Sequence, residues 1–206
     1  MTTTAPSPTR GSRHRGRPLG QLGVAVRAVL LATLVLGLAD PLLVTGAAQV
    51  AFPARADGSL VTRDGVVVGS ALLGQDHGED PAYFWGRPSA GGHDPLATGA
   101  SNLAQDNPEL LAQVEERRAR VAAADGVDPA DVAPDALLAS GSGLDPHISP
   151  EYAAQQVARV ARERGLTERQ VRRLVSDHTD GRTLGFLGEP RVEVLALNLA
   201  LDELTG

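Results

Sequence analysis

The most strongly patterned stretch of the chain is Ala28 to Val50, AVLLATLVLGLADPLLVTGAAQV, where 23 residues hold one acid and no base. At a helical rise of about 1.5 Å per residue it spans roughly 34 Å, enough to cross a bilayer. Beyond it the apolar positions recur at shorter range. Leu60-Val61-Thr62 and Val66-Val67-Val68 flank Arg63-Asp64-Gly65, and an Asp-Gly between short β-branched runs predicts a hairpin over 59–69. Asn107-Pro108-Glu109 supplies a cap, a first-turn proline and a first-turn acid, and Leu110, Leu111, Val114 and Val121 follow at helical spacing, predicting a helix over 108–123. The same start recurs at Ser149-Pro150-Glu151, with Val157, Val160 and Ala161 on an apolar face and Gly165 closing the helix. Thr167 with Gln170 has the capping-box pattern and opens a further helix to about 177. Ala136-Leu137-Leu138 and Thr183 to Leu187 read as short strands, and Glu193 to Leu204 as a largely apolar terminal helix too short to span a membrane.

The pattern predicts an α/β protein with a single N-terminal transmembrane helix followed by one small mixed α/β domain. Residues 1–21, mostly Thr, Pro, Ser, Gly and Arg without apolar periodicity, read as a disordered basic tail, 22–50 as the transmembrane region and 51–206 as the domain. From Gly74 to Asn107 the chain is rich in Gly, Asp, Pro and Ser and has no regular period. A loop that long is functional or mobile, and Tyr83, Phe84 and Trp85, three of the six aromatics, predict that it is pinned down.

Charge sets an orientation. The 27 residues before the apolar stretch hold Arg10, Arg13, Arg15, Arg17 and Arg27 and no acid. Basic flanks stay on the cytoplasmic side, which makes the tail cytoplasmic and the domain extracytoplasmic, on a single-pass protein of the cell membrane. The part beyond the span carries 14 arginines against 24 acids, and an acidic body excludes nucleic acid as a partner. With no cysteine in the chain there is no disulfide framework and no thiolate metal site. A secretory signal is the rival reading of the apolar stretch, since Ala54-Arg55-Ala56 resembles a cleavage site, but the apolar run resumes after Asp40-Pro41 and favours a retained anchor. A carboxylate inside the membrane costs about 2.5 to 3.5 kcal/mol on insertion scales, so Asp40 has either a partner or a place near the outer interface, with the helix starting around Leu22 and Arg27 snorkelling.

Little in the domain points to catalysis. Ser140-Gly141-Ser142-Gly143 with Asp145 resembles a phosphate cradle ahead of the helix start at Ser149, but there is no GxxxxGK[ST] and no lysine to serve one, so a tight capping loop is preferred. Asp145, His147 and the serines share one loop without a Gly-x-Ser-x-Gly elbow, which argues against a triad, and no catalytic residue is assigned. The five histidines show no metal-ligand spacing, and no metal site is expected. Tyr83, Phe84 and Trp85 beside Arg87 fit a contact surface or a core role equally.

The motifs together resemble the C subunit of the Kdp potassium-transporting ATPase. They are Gly69-Ser70-Ala71-Leu72-Leu73-Gly74-Gln75, Tyr83 through Ala90, Ser101-Asn102-Leu103 with Asn107-Pro108, Ser140 through Pro150, Gln156 through Ala161, and Leu184 through Val192 running into Leu195 to Asp202, collinear over about 28–204. The resemblance implies a non-catalytic, single-span subunit of an ATP-driven potassium importer. Its implied partners are a channel-like potassium-binding subunit, a P-type ATPase subunit that carries the chemistry, and a small stabilising peptide. It also implies a catalytic-chaperone role that raises the ATP affinity of the ATPase subunit, so that ATP is reached through that subunit and no cofactor is assigned to this one. Gln75 and the Ser140 to Gly143 loop with Asp145 are the nucleotide-related or partner-contact candidates, and Asp40, Tyr83, Phe84, Trp85 and Arg87 the partner-contact candidates. The long arginine-rich tail departs from the family, as does Glu193, where asparagine is expected. The alternative function is an anchored or secreted hydrolase or ligand-binding domain using the Ser140–Pro150 loop.

Overall fold

The computed structural model describes residues 18–77 and 79–205, in two compact units that meet in sequence between Ala56 and Asp57. The first is helical: α1 (Pro18–Leu34), a π turn (Val35–Ala39), α2 (Asp40–Ala51) and a short α3 (Pro53–Ala56). Between Gly20 and Ala51 the helix is 32 residues long and apolar enough to cross a membrane. The described helix begins at Pro18, inside the 1–21 range read as a tail, and residues 1–17 of that range lie outside the described residues. The π turn ends two residues before Pro41, which has no N–H to donate one turn back, and the Asp40 N–H reaches five residues back to the Val35 carbonyl.

The second unit is the mixed domain. β1 (Leu60–Arg63) and β2 (Val66–Ser70) form the expected hairpin, turned by Asp64 (φ 52°) and Gly65 (φ 78°), both in the left-handed region that a primed two-residue turn requires. α4 (Pro108–Asp125) begins where the Asn107 side chain accepts the Glu109 N–H at 2.8 Å and ends at Gly126. α5 (Pro150–Arg164) is capped by Ser149 and closed by Gly165, and α6 (Glu168–Asp177) starts with the Thr167–Gln170 capping box. α7 (Val194–Thr205) ends the chain.

A small antiparallel sheet of order β3-β5-β4 lies among these helices, built from β3 (His147–Ile148), β4 (Thr179–Asp180) and β5 (Arg191–Glu193). His147 pairs with Glu193, and Thr179 with Val192. Two expected strands are absent. Pro134–Ala136 is a 3-10 turn that runs into Leu137, because Pro134 fixes a helical φ at its start. Thr183 to Leu187 is a tight turn closed by its own Thr183–Leu187 bridge, with Leu184 (φ 56°) and Gly185 (φ 83°) reversing the chain. The core gathers Phe84, Ile148, Tyr152, Val157, Val160, Val192, Leu197 and Leu201, from the 84 segment, the sheet, α5 and α7.

Candidate functional site

The described residues of the irregular segment from Gly74 to Asn107 form no strand or helix, so backbone groups that its own turns do not pair must find partners elsewhere. Side chains of α5 and α7 supply them. Asn198 grips Phe84 on both sides, its Oδ1 accepting the Phe84 N–H at 2.8 Å and its Nδ2 donating to the Phe84 carbonyl at 2.9 Å. Gln156 does the same for Trp85, accepting its N–H at 2.7 Å and donating to its carbonyl at 3.2 Å. Arg159 donates through Nη1 to the carbonyls of Pro81 (2.6 Å) and Tyr83 (2.9 Å) and through Nη2 to Gln156 Oε1 (2.6 Å). Its Nε meets Asp125 Oδ1 at 2.8 Å, and its guanidinium lies 4.1 Å from the Trp85 ring centroid. The second Asp125 oxygen accepts from Gln155 at 2.6 Å.

A second layer repeats the arrangement at the surface. Arg164 donates to the Ala82 carbonyl (2.8 Å) and to Asp202 (2.8 Å) and lies 4.3 Å from the Tyr83 ring centroid, while Asp202 also receives Arg63 of β1 at 2.8 Å. The aromatic run is thereby pinned, as its composition predicts. Phe84 is fully buried in the core, and Tyr83 and Trp85 are half-buried at its edge.

Beside this clamp lies a cleft of about 370 Å³ whose lining includes Gln75, His77, Arg87, Arg117, Arg120 and Tyr152. Arg87, on its wall, donates from Nη1 to Asp145 Oδ2 at 3.0 Å. Hydrogen bonding from His147, by side chain and backbone, and then from Arg87 holds the Asp145 carboxyl down at about 2. Burial pushes His77 below its ordinary value, and its Nε2 is buried without a hydrogen bond. Glu193, across the sheet from His147, also has a buried oxygen without a hydrogen bond, and burial pushes its pKa up.

The sequence-singled residues are partly brought together. The Gly74 N–H donates to the Leu144 carbonyl at 2.8 Å, joining the Gln75 segment to the Ser140–Asp145 loop, which Arg87 also reaches. Gln75 itself turns toward the hairpin, its Nε2 donating to the Val68 carbonyl at 2.9 Å. Inside the loop, the N–H groups of Gly143, Leu144 and Asp145 donate to Ser140 O, Ser142 Oγ and Ser140 Oγ. Gly143 (φ +70°) packs so closely that a Cβ would fall 2.8 Å from the Gly99 carbonyl oxygen. Asp40 belongs to the helical unit. Sequence reasoning assigned no role to Gln156, Arg159, Asn198 and Asp125. The available signal was polar residues embedded in the apolar faces of α5 and α7, such as Asn198 between Leu197 and Leu201.

Comparison with known proteins decides the family. The model of the family described as the K+-transporting ATPase, c chain, matches residues 22–203. The chain belongs to this family. Potassium-transporting ATPase KdpC subunits align with it over nearly their whole length: that of Kineococcus radiotolerans is 59% identical over 186 residues, covering 89% of this chain and 93% of the relative. The Sorangium cellulosum subunit is 55% identical over 187 residues (89% and 98%), and that of Methylococcus capsulatus 52% over 186 (87% and 96%). The family match takes in the apolar helix, the clamp and the cleft and leaves out residues 1–21 with four of the tail arginines. As a KdpC-family chain, the protein is a membrane subunit of a potassium-transport complex.

Proposed function

We propose that the chain is the non-catalytic accessory subunit of an ATP-driven potassium importer, held by its one helix beside a channel-like potassium-binding subunit, a P-type ATPase subunit and a small stabilising peptide. The observation that carries this reading is where the polar side chains are spent. Gln156, Arg159 and Asn198, the polar groups at the centre of the domain, hold the backbone of residues 81–85. Groups consumed in that way build a rigid surface and are not poised to move protons on a substrate. The serines of the Ser140–Gly143 loop likewise serve the loop's own N–H groups, which supports a contact role for Gln75, Arg87, Asp145 and this loop over a phosphate cradle. The exposed turn at Leu184 (79% exposed) and Phe186 (69%) adds apolar surface of the kind protein partners cover.

The arginine-rich flank keeps the tail in the cytoplasm and the domain outside, where it steadies the channel-like subunit or shapes potassium entry. Its chaperone effect on the ATP affinity of the ATPase subunit is then indirect. Co-expression of the tagged full chain with its neighbours and purification in mild detergent tests the assignment. The expected result is a co-purifying complex whose potassium-stimulated ATPase activity depends on this chain. A chain that purifies alone, with the ATPase activity unaffected by its omission, overturns it. The side is read by Ser142→Cys, an exposed position in a cysteine-free chain, with a membrane-impermeant thiol reagent: labelling of intact cells is expected, and labelling only after lysis restores direct nucleotide contact.

A further inference from the structure

The apolar helix carries two charged side chains, Arg27 and Asp40, and Asp40 lies well inside its length. Arg27 lies 13 residues before Asp40, and the helix continues 11 residues past Asp40 to Ala51. At the α-helical rise, roughly 20 Å of helix separates Asp40 from Arg27 and roughly 16 Å separates it from the helix end. With a hydrocarbon core of about 30 Å, setting either Arg27 or Ala51 at its interface leaves Asp40 well within the apolar layer. The interfacial position considered for Asp40 needs the helix to enter the membrane around Leu22 with Arg27 snorkelling, whereas Leu42 (69% exposed) and Leu43 (71%) continue the apolar surface beyond Asp40 and favour a deeper setting.

The backbone beside Asp40 is also altered. The π turn of Val35–Ala39 interrupts the regular ladder there, and such turns recur at functional positions. Pro41 supplies no N–H to the preceding turn, so the helical ladder lacks one donor beside Asp40. Gly37 provides a flat spot within a turn of Asp40: a Cβ there would have only Thr33 Cγ2 within 4 Å, at 3.7 Å, so another helix backbone can approach closely.

A carboxylate accepts hydrogen bonds and donates none, and in hydrocarbon it requires a countercharge rather than a further acceptor. We infer that Asp40 is the docking point for a basic side chain on a membrane helix of a neighbouring subunit, an arginine or lysine that neutralises the carboxylate. This rests on the accessory-subunit reading above. An arginine fork, with several donors in one plane, fits the two carboxylate oxygens best.

The test uses the tagged full chain, wild type and with D40L, D40N or D40E, co-expressed with its neighbours and purified in mild detergent. Carbonate-washed membranes measure insertion; leucine favours insertion, so a loss with D40L is not a failure to enter the membrane. The expected result is that D40E stays close to wild type while D40L and D40N each lower the yield of complex by about tenfold or more at equal membrane content. Wild-type yield from D40L removes the contact, and wild-type yield from D40N removes the basic partner. If the wild-type chain itself brings no neighbours, the accessory-subunit reading fails first. If it does bring them and D40L matches it, this inference alone is lost.

Discussion

Arg159 and Asp125 meet at 2.8 Å with their side chains 1% and 0% exposed, and every polar contact of the pair serves the segment that carries Trp85 or the helix that faces it. Removing one member leaves the other charge buried, so Arg159→Ala is expected to destabilise the fold by about 3–5 kcal/mol. The solvent-exposed pair Arg172–Glu168 is the control, and Glu168→Ala is expected to cost well under about 1 kcal/mol. Urea unfolding of the detergent-solubilised chain, followed by the fluorescence of its single tryptophan, measures both.

Asn198 is 2% exposed and replaces a missing strand neighbour for Phe84. Asn198→Leu leaves the Phe84 N–H and carbonyl buried without partners, at an expected cost of about 1–3 kcal/mol for each group stranded. The same unfolding experiment reads it. A variant as stable as wild type would show that water or a shifted backbone replaces both bonds.

How much of this was legible in the sequence depends on range. The helices α4, α5 and α6 announce themselves through Asn107, Ser149 and Thr167, whose caps act within three residues, and the first hairpin through Asp64-Gly65. The central sheet is not visible in that way. Its strands are two or three residues long, too short to carry a period, and His147 finds Glu193 only after α5 and α6 have intervened. Three apolar residues at 136–138 suit a strand or a turn, and Pro134 settles the matter. The site divides likewise: the composition of 74–107 shows that the segment needs holding, but Asn198 lies 114 residues from Phe84 and Gln156 71 from Trp85, so what holds it is a tertiary fact.

The loop glycines separate cleanly. Gly143 has φ +70° with a Cβ position 2.8 Å from a carbonyl oxygen, whereas Gly141 has nothing within 4 Å. Gly143→Ala is expected to cost about 1–3 kcal/mol in stability and Gly141→Ala to stay within about 0.5 kcal/mol of wild type. Equal effects at the two positions would contradict the packing of Gly143 against Gly99.

Two groups give acid sensitivity of the same sign in different windows. The Asp145 carboxyl is held at about 2 against an ordinary 3.8, so the stability it contributes is present above the ordinary value and lost as pH falls from there toward 2. His77 is pushed below its ordinary 6.5 by burial; the unfolded chain takes up the proton more readily, so stability declines as pH falls through 6.5. Denaturant midpoints measured from pH 8 to 3 are expected to fall in both ranges. His77→Gln should flatten the upper decline, and Asp145→Asn the lower one at the cost of reduced stability at neutral pH.

Phe186 and Leu184 stand outside the core, so Phe186→Ser is expected to change stability by less than about 0.5 kcal/mol while lowering the yield of the complex. Co-purification set beside unfolding separates the two effects, and an unchanged yield would remove this turn from the contact surface.

That turn has a mechanical position as well. It emerges from β4 and returns as β5, and β5 ends at Glu193 where α7 begins at Val194, with no loop between strand and helix. Four residues further on, Asn198 grips Phe84. The turn is thus the outer end of a lever whose inner joint has no loop: a push on Phe186 that is carried through residues 188–190 into β5 passes directly into α7 and to the side chain that holds the aromatic run in place.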